Sequence, residues 1–102
     1  MKIKKRGVSN NSVLNTEDIR VNGGIVEIDV HGLNKYQAKI YIDHYLKKAG
    51  RDVYKLRIIH GFHGGTEIKS MIRGIYAKNP KVKRIEYNMN QGETELILRE
   101  LY

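Results

Sequence analysis

The stretch IIHGFHGGTEIK, Ile58 to Lys69, carries two of the chain's four histidines and three glycines. On its near side, Tyr54 to Ile59 alternates, with Leu56 and Ile58 on one side and Lys55 and Arg57 on the other. That is the pattern of a half-buried strand. On its far side, Ile68, Met71, Ile72, Ile75 and Tyr76 recur at helical offsets, the spacing of an amphipathic helix. Thr66 is a fitting cap for that helix, and Asn79-Pro80 a fitting stop. A strand feeding a helix through a glycine turn is half of a β-α-β unit.

Upstream lies the matching half. Ile25 to Val30 alternates, with Val26, Ile28 and Val30 on one side and Glu27 and Asp29 on the other. Gly32 ends this strand, and Asn34 is a good helix cap. Tyr36 to Ala49 then carries the stripe Ala38, Tyr41, Ile42, Tyr45, Leu46 and Ala49, and Gly50 stops it. Downstream, Arg84 to Tyr87 and Thr94 to Leu98 read as two further strands joined by the hairpin signal Asn90-Gln91-Gly92.

The order is therefore βαβαββ. Consecutive β-α-β units imply parallel strands with both helices on one face of the sheet. The last strand returns through a short turn, so it runs antiparallel to its neighbour. The expected fold is an α/β (α+β) two-layer sandwich with a mixed four-stranded sheet and one open face. Residues 24–102 form this domain. Residues 1–23 read as a basic, partly flexible arm, with Lys2, Lys4, Lys5 and Arg6 at its start and Asn22-Gly23-Gly24 as the turn that closes it. Val13, Leu14, Ile19 and Val21 predict that part of the arm packs on the body.

Composition narrows the function. The chain has 102 residues, a formal net charge of +8 and no cysteine. Disulfide frameworks and thiolate metal sites are excluded, and a cytoplasmic setting is expected. No apolar run reaches the length of a membrane span, so no membrane partner is expected. The basic start has no apolar stretch behind it and does not read as a signal peptide. A small domain this basic usually meets a polyanion, most often nucleic acid. The plain alternative is a soluble protein with a lysine-rich surface.

Parallel β-α-β units put ligand sites at the carboxyl ends of the strands. Two segments end there, Asp29-Val30-His31-Gly32 and His60-Gly61-Phe62-His63-Gly64-Gly65. If their strands are neighbours, three histidines share one rim. Gly64 and Gly65 let backbone N–H groups approach an anion at the start of the second helix. His31 is then a candidate general acid or base, with Asp29 orienting it. Each segment also has a bland reading: a turn with a surface histidine, a connecting glycine turn, a buried hydrogen-bonded His60. His44 reads as a surface or boundary residue. One carboxylate among turn histidines has no metal-specific spacing, so no metal site is assigned.

Taken together and in this order, the two turns resemble the Smr (small MutS-related) domain family. Its D-L-H-G segment corresponds to Asp29-Val30-His31-Gly32, and its H-G-x-G-x-G turn to His60-Gly61-Phe62-His63-Gly64-Gly65. Val30 replaces the usual Leu, and His63 stands where a middle glycine is usual. The closing Asn90 to Leu98 is similar to the family's final glycine turn and strand, so the likeness covers about residues 25–99. It implies a fold similar to the C-terminal domain of bacterial translation initiation factor three. It also implies nucleic-acid binding and, in many members, endonuclease activity on DNA or RNA, including messenger RNA on ribosomes. Asp29 and His31 correspond to the residues tied to cleavage. His60, Gly61 and Gly65, with His63 and Gly64 as local variants, correspond to the nucleic-acid-binding turn.

Two readings involve nucleic acid, and a third is a protein-interaction domain whose basicity is incidental. In the first, the domain is an endonuclease that favours RNA, where the 2′-hydroxyl serves as nucleophile and no cofactor is required. DNA as substrate would call for an activated water and a divalent ion, Mg2+ or Mn2+. In the second, the domain is a non-catalytic nucleic-acid- or ribosome-binding module. In both, Thr66 joins the phosphate-binding turn, and Lys55, Arg57, Arg84 and Arg99 are candidates for a basic sheet face that tracks phosphates. A monomer or weak oligomer is expected.

Overall fold

The computed structural model describes residues 19–61, 67–87 and 92–100, and of Arg20 only the backbone. In chain order the elements are β1 (Ile19–Asn22), β2 (Ile25–Asp29), α1 (Lys35–Lys48), β3 (Lys55–Ile59), α2 (Glu67–Ile75), a 3-10 turn (Tyr76–Lys78), β4 (Arg84–Glu86) and β5 (Glu93–Ile97). The strands form one sheet in the order β1-β2-β3-β5-β4. β2 and β3 are parallel, and every other neighbouring pair is antiparallel.

The register explains the core. Val26 lies opposite Leu56 and Ile28 opposite Ile58, so the inward sides of the two parallel strands form one apolar surface. β5 slots in beside β3 with Leu96 opposite Leu56. α1 crosses this surface from a reciprocal cap, in which the Asn34 side chain accepts from Gln37 N–H and the Gln37 side chain from Asn34 N–H. Ala38, Tyr41, Ile42 and Leu46 are its buried stripe. α2 packs against α1 and adds Ile72, and Tyr76 follows it inward. Each large aliphatic buried here contributes about 1.5–3 kcal/mol over an exposed one. The Tyr76 hydroxyl donates to Asp43, tying the end of α2 to α1. Burial, and then the bond to Asp43 and its charge, push the Tyr76 phenol far up, so it stays a donor.

The sheet has five strands where four were expected. The extra one, β1, comes from residues 19–22 of the presumed arm. Its register puts Ile19 opposite Ile28 and Val21 opposite Val26, across the two-residue turn Gly23-Gly24, where both φ angles are positive. This twist matches the flanking strands of a hairpin. Ile19 packs on the core, but Val21 on this edge strand stays 71% exposed. Residues 1–18 of the expected arm lie outside the described residues, as do Asn90 and Gln91 of the hairpin signal. One stripe position also differs. Ile75 is exposed, because the chain tightens into the 3-10 turn right after it and Tyr76 takes the inward position.

The sheet face away from the helices was expected to be open and basic. It is covered by paired charges. Arg57 bonds Glu95 at 2.7 Å and Glu27 at 2.9 Å, and Lys55 Nζ reaches the other oxygen of Glu95 at 3.0 Å. Arg84 pairs with Glu86 and Glu100. Beneath this cover Ile97 is almost fully buried, although it lies on the outward side.

Candidate functional site

The carboxyl ends of β2 and β3 are adjacent, and a rim is built there from two turns. At the first, Val30 N–H bonds Ile59 O at 2.9 Å, holding the end of β2 to β3. Leu33 N–H then bonds back to Val30 O at 3.1 Å. The third of the turn's four residues carries a positive φ, which favours glycine, and Gly32 supplies it with φ +85°. The turn delivers the chain to the α1 cap and leaves His31 at its corner.

Asp29 organises that corner. One carboxylate oxygen, Oδ1, accepts from the His31 N–H at 3.1 Å and also bonds the His31 ring at Nδ1. The His31 side chain is 67% exposed and that of Asp29 33%. The pair is thus oriented and reaches solvent. The carboxylate fixes the tautomer with the proton on Nδ1 when the ring is neutral, so proton exchange with a ligand falls to Nε2.

The second turn presses against the first. Gly61 has φ +79°, and a Cβ placed on it would sit 3.5 Å from the Cβ of His31. Beside it, His60 is 5% exposed. Its Nδ1 lies 3.0 Å from Gly61 O and its Nε2 2.9 Å from Thr94 Oγ1. A carbonyl only accepts, so Nδ1–H donates to Gly61 and Nε2 accepts from the Thr94 hydroxyl. Burial, reinforced by the nearby charges of Arg73 and Lys69, pulls the His60 imidazole below its ordinary value. His60 is a neutral brace within the rim. The N–H groups of His60 and Gly61 both bond Gly92 O at 2.9 Å, which ties the rim to the start of β5.

Of the residues singled out from sequence, Asp29, His31, His60 and Gly61 come together. His63, Gly64, Gly65 and Thr66 lie outside the described residues. Lys55 and Arg57 sit apart from the rim turns, in the ion-pair lattice of the sheet. His44 lies half-buried against Tyr45 with its ring edge-on; burial and then Lys48 and Lys47 pull its imidazole down.

Two contributors were not found from sequence. Thr94 is fully buried, and the signal was a polar residue at an inward position of a strand. Arg73 stacks its guanidinium on the Tyr87 ring at 4.0 Å, and one terminal nitrogen lies 3.5 Å from Thr94 Oγ1. Among the described residues no group of three or more His, Asp or Glu side chains has the arrangement to hold a metal ion. Nor is any helix among them long and apolar enough to cross a membrane.

A two-layer domain with parallel strands ending in paired histidine–glycine turns defines a class, and the comparisons agree on which. The chain belongs to the Smr domain family, which it matches over residues 28–95. Among solved structures it is similar to the Smr domain of MutS2 from Thermus thermophilus. That likeness has a TM-score of 0.65 and 25% identity, and covers 72% of this chain and 98% of the other. No curated protein matches the chain.

Proposed function

We propose that this Smr domain is a nucleic-acid-binding endonuclease that cleaves phosphodiester bonds, with RNA favoured over DNA. The observation that carries the reading is the Asp29–His31 pair: a carboxylate-held imidazole, two-thirds exposed, beside the positive-φ glycine of the neighbouring turn. The glycine-rich sequence ahead of α2 is of the kind that suits a phosphate at a helix amino end.

In the RNA reaction, His31 takes the proton from a 2′-hydroxyl as that oxygen attacks the adjacent phosphorus. The O2′–P bond forms and the P–O5′ bond breaks. The leaving 5′-oxygen takes a proton from water, the hydroxide so left takes the proton held on His31, and the products are a 2′,3′-cyclic phosphate and a 5′-hydroxyl. Asp29 keeps the ring aimed and stabilises the imidazolium that forms. The donor set favours this route: one carboxylate with a ring it already holds supplies proton transfer more readily than a divalent-ion site.

The test incubates the full chain with labelled single-stranded RNA, structured RNA and plasmid DNA. Each is run with EDTA and with magnesium or manganese, alongside His31→Ala. RNA cleavage that survives EDTA, leaves cyclic phosphate ends and disappears in His31→Ala is the expected result. Binding without cleavage on every substrate would make the domain a binding module, with Asp29 and His31 as contact residues.

A further inference from the structure

The charge of the chain is unevenly used. On the sheet face, Lys55, Arg57 and Arg84 are each held by carboxylates. At the opposite end of α1 from the rim lies a cleft of about 440 Å³ lined by Gly50, Arg51, Pro80, Lys81, Lys83 and Arg99, over a floor that includes Val53 and Leu98. Four cations line it and no carboxylate does. We infer that this cleft is a second nucleic-acid contact, which grips the phosphate backbone of the same strand that reaches the Asp29–His31 rim. The inference rests on the nucleic-acid reading above and adds where the partner is held.

Part of the positive charge here has a structural use. The carboxyl end of a helix carries partial negative charge. Lys47 and Lys48 lie in the last turn of α1, and Lys81 Nζ donates to Leu46 O at 2.7 Å. These three offset the helix end. That account does not extend to Arg51, Lys83 and Arg99. All three are exposed, and none has an acidic ion-pair partner among the described residues. Holding like charges together around one concave surface costs repulsion that a bound polyanion relieves. The floor of Val53 and Leu98, both set against the core, gives the arginine stems and a sugar–base edge an apolar surface to rest on.

The spacing suits an extended ligand. α1 begins just after the rim turn and ends at the cleft, and its 14 residues span about 20 Å at the usual helical rise. Both contacts are met by one strand only if it is long enough to cover that distance. Short fragments engage one of the two.

Fluorescence anisotropy with labelled single-stranded RNA over a salt series tests this on the full chain. Lys83→Gln with Arg99→Gln is compared with Lys39→Gln with Lys78→Gln, which removes equal charge outside the cleft lining and the rim turns. The cleft variant is expected to lose roughly tenfold in affinity, and its log–log salt slope to flatten by about 1.4, for two lost phosphate contacts on a single strand. The control is expected to change less than about twofold, and a short oligonucleotide to show a smaller difference than a long one. Equal losses in both variants would reduce the effect to net charge and overturn the inference. Unchanged RNA affinity in the cleft variant would do the same, and if phosphatidylglycerol vesicles alone lost affinity, the cleft would belong to a membrane surface. A wild-type chain that binds no RNA at any salt would instead overturn the proposed function, and the cleft assignment with it.

Discussion

Arg57 and Glu95 occupy directly opposed positions of β3 and β5, and Arg57 Nε meets Glu95 Oε2 at 2.7 Å. The same guanidinium reaches Glu27 on β2, so one side chain spans three strands. The Glu95 side chain is only 6% exposed. On the outward face of the sheet Lys55, Arg57 and Arg84 are thereby each engaged by carboxylates in a cross-linked surface.

Arg57→Ala should cost stability because it strands a buried carboxylate. We expect about 2–3 kcal/mol, below the usual loss for a buried pair because Lys55 still holds the other oxygen of Glu95. Urea unfolding measures it, and a double-mutant cycle with Glu95→Gln should recover much of the loss in coupling energy. A cycle with no coupling would mean the pair is solvated.

Acid should weaken the fold in two stages. Burial lowers the His60 value below 6.5, so the unfolded chain takes up a proton there before the folded one does. Stability from this group is complete above pH 6.5 and falls as pH drops below it. For Glu95, burial alone would raise the value, but hydrogen bonds and charge from Arg57 and Lys55 outweigh it and bring it below 4.5. Its contribution is complete above that value and is lost as pH falls through the folded-state value. Thermal melts from pH 8 to pH 3 should show both declines, and His60→Gln should shrink the upper one to the part that His44, whose value burial also lowers, supplies. A flat profile between pH 7 and pH 5 in the wild type would contradict the account of His60.

Asp29 and His31 should separate in kinetics. His31→Ala should lower kcat by about two to four orders of magnitude, the usual worth of a proton-transfer group. Asp29→Asn keeps a hydrogen-bond acceptor for the His31 N–H but loses the charge facing Nδ1, so kcat should fall by less and KM should hold. If Asp29→Asn raised KM alone, Asp29 would be a contact to substrate and not a partner of the imidazole.

Gly61 joins the two turns, and its φ of +79° is the reason for the residue. A Cβ would find ordinary contact distance to His31, so the cost is backbone strain and not collision. Gly61→Ala should lose about 1–2 kcal/mol. It should also lower cleavage more than that loss accounts for at a temperature where the variant is fully folded, because the relaxed turn carries His31 with it. Melting curves read beside single-turnover rates check this, and a rate unchanged in the folded variant would detach the second turn from the first.

Much of this was legible in the sequence, and the exceptions share a cause. The two parallel strands and both helices announced themselves through alternation and helical stripes, since each buries one side against a single layer. β1 did not. Its four residues are too few to establish a period, so from sequence Gly23-Gly24 marks the end of an arm as well as it marks a hairpin turn. The outward positions of Lys55 and Arg57 were also legible, but their partners were not. Glu27 and Glu95 lie 30 and 38 residues from Arg57, and only strand order brings them together. The rim turns were legible because chemistry and backbone need coincide there. The bracing of His60 by Thr94 was not, because Thr94 comes from a strand inserted between β3 and β4.

That brace gives a last prediction. Thr94 is fully buried, and its hydroxyl is the donor to His60 Nε2 at 2.9 Å. Thr94→Val keeps the shape and deletes the donor, leaving a ring nitrogen with no partner in a dry site. The cost should be about 1–3 kcal/mol, and Thr94→Ser should restore most of it. The change should also reach the rim, because Gly61 O receives the opposite end of the same ring. Without the Thr94 hydroxyl the His60 ring is held at one end only, and a shift of the ring is passed to Gly61 O beside His31. The ring signals of His60 and His31 in a two-dimensional NMR spectrum should therefore shift together in Thr94→Val and return in Thr94→Ser. A shift confined to His60 would show that the brace stabilises the domain without positioning the exposed pair.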